Sequence, residues 1–300
     1  MSRQIRSMTP SVETCANFDV LIVGAGFAGM YMLHKCRQLG LSTRVFEVGK
    51  GVGGTWYWNR YPGARCDVES VQYSYQFDTE LEQEWTWSEK YSTQPEILRY
   101  ANHVADRFDL RDNIQFETRV ISAEYSEADK LWVLETDRNE KVSSRYCVFA
   151  TGCLSSSNVP KFEGYETFKG LSYHTGRWPH EGVNFSGLRV GVIGTGSSAI
   201  QSIPEIAKEA NQLTVFQRTA NYTIPARNSE LTEDYVSSIK ADYPGLRERA
   251  RNKPAGYDIP LNSQSVLEVG REDANIEFQR RWELGGTQFQ CRRIRKNLRP

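Results

Sequence analysis

The sequence lacks several features that would assign it at once to a broad class of protein. It carries no net charge, with 37 basic and 37 acidic residues among 300, so nothing in its overall charge favours binding to nucleic acid or to a membrane surface. It has no apolar run long enough to span a bilayer. Residues 1–17 lack the continuous apolar stretch of a signal peptide, and we interpret them as an N-terminal arm.

Cysteine and histidine are few and follow no recognisable pattern. The six cysteines include no Cys-x-x-Cys pair, and the four histidines have no metal-ligand spacing. We therefore expect neither a disulfide framework nor a metal site, and a reducing, cytoplasmic location fits best. Hydrophobic residues make up 39% and charged residues 25% of the chain, which is typical of a soluble globular protein.

A glycine-rich turn follows the first predicted strand. The apolar run Phe18–Val23 predicts a buried strand, and the pattern after the turn predicts a helix over residues 30–39. The turn has G-x-G-x-x-G spacing, given by Gly24, Gly26 and Gly29. The first glycine permits a tight turn, the second lets the backbone approach a pyrophosphate, and the third lets helix and strand pack closely. The sequence therefore predicts a dinucleotide site with its phosphates at the helix N-terminus.

A second turn of the same kind lies further along the chain. A buried strand is predicted over Leu188–Ile193 and a helix over residues 200–210, in which Pro204 is expected to distort the first turn. The spacing is G-x-G-x-x-A, with alanine in place of the third glycine. The residues of this turn are Gly194, Thr195, Gly196, Ser197, Ser198 and Ala199.

The two units differ in charge where their second strands end. The predicted strand 43–47 ends in Glu47, at the place where an acid can hydrogen-bond ribose hydroxyls. The predicted strand 213–218 ends instead in Arg218, followed by Thr219, and an arginine there accommodates a 2′-phosphate. The first site therefore suits FAD or NAD and the second suits NADP(H), so that a hydride can pass between the two ligands.

An aromatic stretch at residues 54–67 separates the first turn from the rest of the chain. It contains Trp56, Tyr57 and Trp58, then a Tyr-Pro-Gly turn and Asp67. Large aromatic side chains beside a rigid turn and one carboxylate suit the wall of a pocket for a planar ligand. The alternative is a loop that simply covers an edge of the core.

The remaining segments complete an α/β organisation. A helix is predicted over residues 91–108 and strands within residues 114–150, the last of which, 146–150, is apolar throughout and is expected to be buried. Residues 228–285 are polar and predict helices that form an insertion or a lid over the second site.

Two longer motifs give the chain a family resemblance. The motif F-x-G-x-x-x-H-x-x-x-W-P, from Phe168 to Pro179, matches the fingerprint of the type I Baeyer–Villiger monooxygenases, which are class B flavoprotein monooxygenases. A second, more selective pattern of that family matches Gly53 to Asp67. Over residues 16–289 the chain resembles the phenylacetone, cyclohexanone and steroid monooxygenase branch. We interpret His174, within the fingerprint, as structural, which agrees with the hinge role that the resemblance implies.

The resemblance implies an activity and a set of site residues. FAD reduced by NADPH would react with O2, and one oxygen atom would be inserted next to a ketone carbonyl to give an ester or lactone. Asp67 would be catalytic, by tuning an arginine. The implied FAD site comprises Gly24, Gly26, Gly29, Glu47, Gly54, Thr55, Trp56, Asp67, Tyr73 and Val120. The implied NADPH site comprises Gly194, Thr195, Gly196, Ser197, Ser198, Ala199, Gln201, Arg218 and Thr219.

The sequence departs from the family pattern at its C-terminal end. The catalytic arginine, a lysine for the NADP phosphate and the return of the chain to the FAD domain follow the helical insertion in the family, and the sequence contains none of them. The last ten residues hold five basic residues. We therefore expect an α/β fold with two Rossmann-like domains, a helical insertion and a missing C-terminal part. An N- or S-oxidising flavin monooxygenase and an inactive cofactor-binding fragment stay open as alternatives.

These interpretations divide the chain into six segments. No nucleic-acid or membrane partner is expected, and the oligomeric state is left open. The predicted segments are an N-terminal arm (1–17), an FAD-binding domain (18–152), a linker with the fingerprint (153–187), an NADP-binding domain (188–227), a helical insertion (228–289) and a basic tail (290–300).

Overall fold

The computed structural model describes residues 17–259 and 268–289, so the predicted basic tail and nearly all of the predicted N-terminal arm lie outside the described residues. The chain divides into two compact units. One comprises the described residues up to Asn59 together with Leu98–Trp178, and the other comprises Arg60–Ile97 together with the described residues from Pro179 onward. Residues 60–97, predicted to belong with the first glycine-rich turn, are therefore part of the same compact unit as the second turn.

The first unit is built on a six-stranded mixed sheet. Its strands are β1 (Asn17–Val23), β2 (Thr43–Phe46), β3 (Ile114–Gln115), β4 (Val120–Ser126), β5 (Leu131–Thr136) and β6 (Lys141–Phe149). They lie in the order β3-β2-β1-β6-β5-β4. The pairs β3-β2, β2-β1 and β1-β6 are parallel, whereas β6-β5 and β5-β4 are antiparallel. Helices α1 (Phe27–Gln38) and α2 (Thr55–Trp58) follow β1 and β2.

Strand β1 is the centre of this unit and contributes to two apolar cores. Val20 and Ile22 belong to a cluster that includes Leu33 of α1, and Leu21 belongs to a second cluster with Leu134. All five side chains are almost fully buried. Successive side chains of a strand point to opposite faces, so this apolar run forms a strand buried on both sides. Each such side chain contributes about 1.5–3 kcal/mol.

Two predictions for the first unit need correction. Helix α1 begins at Phe27 and not at residue 30, because Gly26 is the N-cap and the third glycine of the turn lies inside the first helical turn. The segment 146–150, expected to be buried, ends strand β6 with Tyr146 57% and Phe149 55% exposed. Strand β5 pairs with β6 only over its first part, from Lys141 to Ser144, so the remainder of β6 lies beyond the end of that neighbour.

The second unit contains a two-stranded parallel sheet, β7 (Arg189–Ile193) and β8 (Gln212–Phe216), joined by helix α5 (Ser197–Glu209). Helix α5 begins three residues earlier than predicted. Pro204 therefore lies in the helix interior rather than near its start, and the distortion expected from it stays a prediction. The prediction that β7 is buried is also wrong, since Ile193 is 67% exposed. A two-stranded sheet leaves each strand at an edge, and its apolar side chains then have few neighbours to cover them.

Helices surround the segment 60–97 in the second unit. Helix α3 (Thr79–Glu84) lies within this segment, and α6 (Glu233–Ala241), α7 (Tyr243–Arg251) and α8 (Arg271–Leu284) are the other helices involved. Helix α4 (Gln94–Arg107) occupies most of the predicted helix 91–108, and its residues from Leu98 onward belong to the first unit. Arg247 of α7 donates to Glu82 of α3 at 2.8 Å, and both side chains are buried. Arg247 also donates to the Ser74 hydroxyl at 2.8 Å. The described part of the predicted insertion thus contains three α-helices and contacts residues 74–82 through Arg247, whereas its role as a lid stays a prediction.

One further predicted helix boundary and the membrane prediction can be compared with the described residues. Helix α4 begins at Gln94 because Thr93 forms an antiparallel bridge with Arg65. Within residues 17–259 and 268–289, no helix combines the length and the hydropathy needed to cross a bilayer.

Candidate cofactor sites

The first glycine-rich turn is closed by contacts that exclude side chains. Gly24 has φ +103°, and a Cβ there would lie 2.6 Å from the carbonyl oxygen of Ala150. A Cβ on Gly29 would lie 1.9 Å from the carbonyl oxygen of Gly24. Gly54 packs on the same turn, because its Cβ would lie 2.8 Å from the Cα of Gly26. The turn is therefore a bare backbone surface at the N-terminus of α1, as a pyrophosphate site requires.

Glu47 is bonded to the backbone of this turn. The residue is 5% exposed, and its two carboxylate oxygens accept the N–H groups of Ala25 and Gly49, each at 2.7 Å. Charge-assisted bonds of this length are strong. Each carboxylate oxygen can accept a second hydrogen bond, so Glu47 holds the turn and still has capacity for ribose hydroxyls. The backbone role was not anticipated from the sequence.

The second turn has the same backbone as the first. Gly194 has φ +103°, the value found at Gly24. Gly196 has φ −74° and ψ −177°, against −76° and −171° at Gly26. The N–H groups of Gly194 and Gly24 each donate at 2.8 Å to the last residue of the neighbouring strand. The two G-x-G segments therefore have the same backbone conformation and the same hydrogen bond to the neighbouring strand.

The two turns differ at the third position of the motif. A Cβ on Gly29 would collide with the backbone, whereas the second turn carries the methyl group of Ala199 at the corresponding place. A Cβ built on Gly194 meets no heavy atom within 4 Å. The second turn is thus the more open of the two among the described residues.

Polar side chains flank the second turn. The Thr195 hydroxyl accepts a hydrogen bond from Gln217 at 2.9 Å, and Asn221 donates to the Thr195 carbonyl at 2.8 Å. Arg218 and Thr219 are exposed. Among the described residues Arg218 has no ion pair, so its charge is available to an anion. The contact of Asn221 with this turn is one that the sequence did not reveal, because Asn221 belongs to no motif.

The aromatic stretch divides into two parts that behave differently. Trp56, in α2, is buried with 8% exposure, whereas Trp58 is 36% exposed. The Tyr57 hydroxyl accepts the N–H of Lys50 at 3.1 Å. Thr55 is half-buried and begins α2. This part packs within the first unit and covers the loop that follows Glu47.

The Tyr-Pro-Gly turn and Asp67 contact helix α5 in the second unit. Gly63 has φ +75°, and a Cβ there would lie 2.3 Å from the carbonyl oxygen of Gln201. The Gln201 side chain binds the same loop. Its Oε1 accepts the Tyr61 hydroxyl at 2.9 Å and the Arg65 N–H at 3.3 Å. Its Nε2 donates to the Arg65 carbonyl at 3.1 Å and to Asp67 Oδ1 at 3.2 Å.

The acid–base properties of this loop follow from its burial. Asp67 is exposed, whereas its neighbour Cys66 is buried, and burial raises the pKa of the Cys66 thiol to about 11. Burial also raises the pKa of Tyr61, outweighing a hydrogen bond with Ser198 that lowers it. The negative charge of Asp67 adds to both increases. Cys66 and Tyr61 are therefore held in their neutral, protonated forms beside the Asp67 side chain.

The other predicted residues lie in both units. Tyr73, half-buried in the second unit, donates its N–H to the Glu69 carbonyl at 3.1 Å. Val120, in the first unit, begins β4 and packs against the core cluster around Leu21. Gly26 and Gly196 are N-caps, and Ser197, Ser198 and Ala199 form the first turn of α5.

His174 makes a local structural contact, and the hinge role implied for it stays a prediction. Its Nδ1 accepts the N–H of Gly176 at 3.1 Å and so caps a short helical turn, Thr175–Arg177. Trp178 is buried, with 8% exposure, and the division between the compact units falls directly after it. Within the described ranges, no cluster of His, Cys, Asp or Glu could hold a metal ion. The thiols of Cys36, Cys66, Cys147 and Cys153 are free.

Comparison with known proteins agrees with this geometry. A family model described as pyridine nucleotide-disulphide oxidoreductase matches residues 21–278. The chain belongs to this family. It is 43% identical over 272 residues to a Baeyer–Villiger monooxygenase from Pseudooceanicola batsensis, and the match covers 90% of this chain and 50% of that protein. It is 42% identical over 270 residues to phenazine N-monooxygenase PhzNO1 from Lysobacter antibioticus, with the same two coverages.

A solved relative supports the fold. An oxidized steroid monooxygenase bound to NADP superposes with a TM-score of 0.88 at 55% identity, covering 91% of this chain and 52% of that one. The α/β fold with a mixed sheet and the resemblance to Baeyer–Villiger monooxygenases are both confirmed. The chain spans about half the length of the relatives it matches.

Proposed function

We propose that this chain provides the FAD- and NADPH-binding parts of a monooxygenase that acts on ketones. The reaction consumes a ketone, O2, NADPH and a proton, and yields an ester or lactone, water and NADP+. One observation carries the proposal: two turns with the same backbone are followed by a carboxylate in one unit and, in the other, by an arginine that forms no ion pair within the described residues. Two nucleotides with different ribose substituents fit such a pair of sites.

The residues of the first turn fit FAD. The bare backbone at Gly24 and Gly26 would accept the pyrophosphate at the N-terminus of α1. The second lone pairs of the Glu47 carboxylate would accept the ribose hydroxyls. Trp56 and Gly54 follow directly and are proposed to lie near the ring system. FAD, when bound, supplies the chemistry of accepting a hydride and reacting with O2.

The residues of the second turn fit NADPH. The N-terminus of α5, with Ser197 and Ser198, would receive the pyrophosphate, and Arg218 and Thr219 would receive the 2′-phosphate. The bonds from Gln217 and Asn221 fix the Thr195 side chain in advance. These groups bind and orient the nicotinamide nucleotide, whereas the 2′-phosphate contact sets the preference over NADH.

Asp67 is the proposed catalytic residue of this chain. Its carboxylate is exposed and accepts a hydrogen bond from Gln201, so it is held in place while its charge is directed toward solvent. A fixed carboxylate can hold a neighbouring cation in its charged form. The proposed role of Asp67 is therefore electrostatic.

The first experiment loads the 300-residue chain with FAD, removes free FAD by desalting, and records the absorption spectrum. NADPH oxidation is then followed with a cyclic ketone present, and products are identified by gas chromatography. Retained flavin bands and lactone formation would support the proposal. Arg218→Ala should raise KM for NADPH about 10–100-fold, the loss expected for one charge-assisted contact, and should leave KM for NADH unchanged. Equal effects on both nucleotides would contradict the assignment of Arg218.

A second candidate is N-oxidation, which the similarity to phenazine N-monooxygenase favours. A phenazine or a thioether offered in place of the ketone separates the two activities by product. A third outcome, NADPH oxidation that releases hydrogen peroxide without an oxygenated product, would favour a cofactor-binding unit that lacks catalytic groups. The half-length match to the relatives is the observation behind this last candidate.

A further inference from the structure

The side chain of Gln201 anchors the loop Tyr61–Asp67 within the second unit. A glutamine amide can accept two hydrogen bonds through its oxygen and donate two through its nitrogen. All four are made here, and all four go to residues Tyr61–Asp67. The orientation of the amide is unambiguous, because the Arg65 N–H can only donate and the Arg65 carbonyl can only accept. Gln201 therefore has no capacity left for a cofactor while this loop is in place.

We propose that Gln201 is a positioning residue that couples occupation of the second glycine-rich turn to the conformation of the loop Tyr61–Asp67. The inference rests on the proposed NADPH site. It replaces the direct contact between Gln201 and NADPH that the family resemblance implied. The carboxylate of Asp67 is the group whose position is set in this way.

The path from the turn to the loop is short and rigid. Gly196 is the N-cap of α5, and Gln201 lies just over one helical turn further on. The Tyr61 hydroxyl and the backbone of Gly63 rest on the same stretch of helix. A dinucleotide that fixes the first turn of α5 would also fix the anchor of the loop, and the loop bonds would resist displacement of that turn.

Reciprocity makes the coupling measurable without catalysis. If the loop and the turn are coupled, binding of NADP+ must stabilise the loop, and the bonded loop must strengthen NADP+ binding by the same factor. The Arg65 N–H reports on the coupling, because it donates to Gln201. The Cys66 N–H is an internal reference, because it donates to the Ser92 carbonyl.

The test combines amide hydrogen exchange with calorimetry on the 300-residue chain, using NADP+ as the probe. In the wild type, saturating NADP+ should slow exchange at Arg65 about ten-fold, the factor expected for stabilising one or two net hydrogen bonds. In Gln201→Ala that protection should disappear, while NADP+ still binds with an affinity within about ten-fold of wild type. Lys208→Ala, a change on the same helix where Lys208 pairs with Glu205, should behave as wild type.

Each alternative result has a distinct meaning. Unchanged protection at Arg65 in Gln201→Ala, or NADP+ binding to the wild type with no protection, would overturn the coupling. Loss of NADP+ binding in Gln201→Ala with normal protection of Arg65 in the free protein would make Gln201 a direct ligand contact. Failure of NADP+ to bind the wild type would overturn the proposed second site itself.

A second variant covers the case in which Gln201→Ala does not fold. Gln201→Glu keeps an oxygen for the Tyr61 hydroxyl and the Arg65 N–H, but places a carboxylate beside Asp67. Because like charges repel, exchange at Arg65 should be about ten-fold faster than in wild type at neutral pH. The difference should diminish below about pH 4, where carboxylates become protonated. A ratio of variant to wild-type exchange rates that stays the same from pH 7 to below pH 4 would contradict the contact with Asp67.

Discussion

The carboxylate of Glu47 offers the sharpest test of how the first turn is built. Its two oxygens accept the N–H groups of Ala25 and Gly49 in a buried setting. Glu47→Gln has the same shape but only one accepting oxygen, and its NH2 group would face a backbone donor. Losing one bond to a charged acceptor costs about 1.5–3 kcal/mol, and an unpaired buried N–H costs about 1–3 kcal/mol, with overlap between the two. We therefore expect a loss of about 2–4 kcal/mol in the FAD-free protein.

The assay is equilibrium unfolding in urea, followed by circular dichroism, without FAD and then with it. A loss of this size is a large part of the about 5–15 kcal/mol that stabilises a typical domain, so the midpoint should move clearly. Glu117→Gln is the matched control, since Glu117 is exposed and pairs only loosely with Lys50 at 3.6 Å, and we expect a change within about 0.5 kcal/mol. If Glu47→Gln unfolds like wild type without FAD and merely binds FAD less well, the carboxylate serves only the ribose and the reasoning fails.

Three further changes test close contacts and a buried thiol. Gly29→Ala should destabilise the first unit by about 3 kcal/mol or more, because its Cβ would collide with backbone, whereas Ala199→Gly should cost about 1 kcal/mol or less; similar urea midpoints would refute the distinction. Gly63→Ala should cost about 2 kcal/mol, since it combines positive φ with a 2.3 Å approach to α5, and an unchanged midpoint would mean that the loop does not rest on that helix. Cys66 should react with iodoacetamide at pH 8 far more slowly than the exposed Cys153, because burial raises the pKa of Cys66 to about 11 and the thiolate is the reactive form; peptide mass spectrometry measures the rates, and equal rates would contradict its burial.

The two glycine-rich turns could be predicted because their spacing constrains the backbone directly. Gly24 and Gly194 share one φ value, which residue types other than glycine adopt only with strain. The bonds that close the turns were not predictable in the same way. A motif places Glu47 near a ribose, but it does not reveal that the same carboxylate accepts the N–H of Ala25.

Burial and long-range contacts were predicted least well. The apolar composition of β7 indicated a buried strand, yet Ile193 is exposed, because burial depends on the elements that cover a strand and not on the strand alone. Gln201 and Asp67 lie 134 residues apart in the chain and still form a hydrogen bond. No periodicity or spacing connects such distant positions, so the assignment of residues 60–97 to the second unit required the structure.

The high pKa of Cys66 determines how resistant this thiol is to oxidation. At pH 8 a thiol with a pKa of about 11 is ionised in roughly one molecule in a thousand. Hydrogen peroxide attacks thiolates, and the first product, a sulfenic acid, leads on to irreversible forms. An ionised cysteine beside the proposed catalytic carboxylate would be a site of oxidative damage in an enzyme that reacts with O2. Burial and the adjacent negative charge keep this sulfur protonated, so it would resist hydrogen peroxide released by the proposed activity.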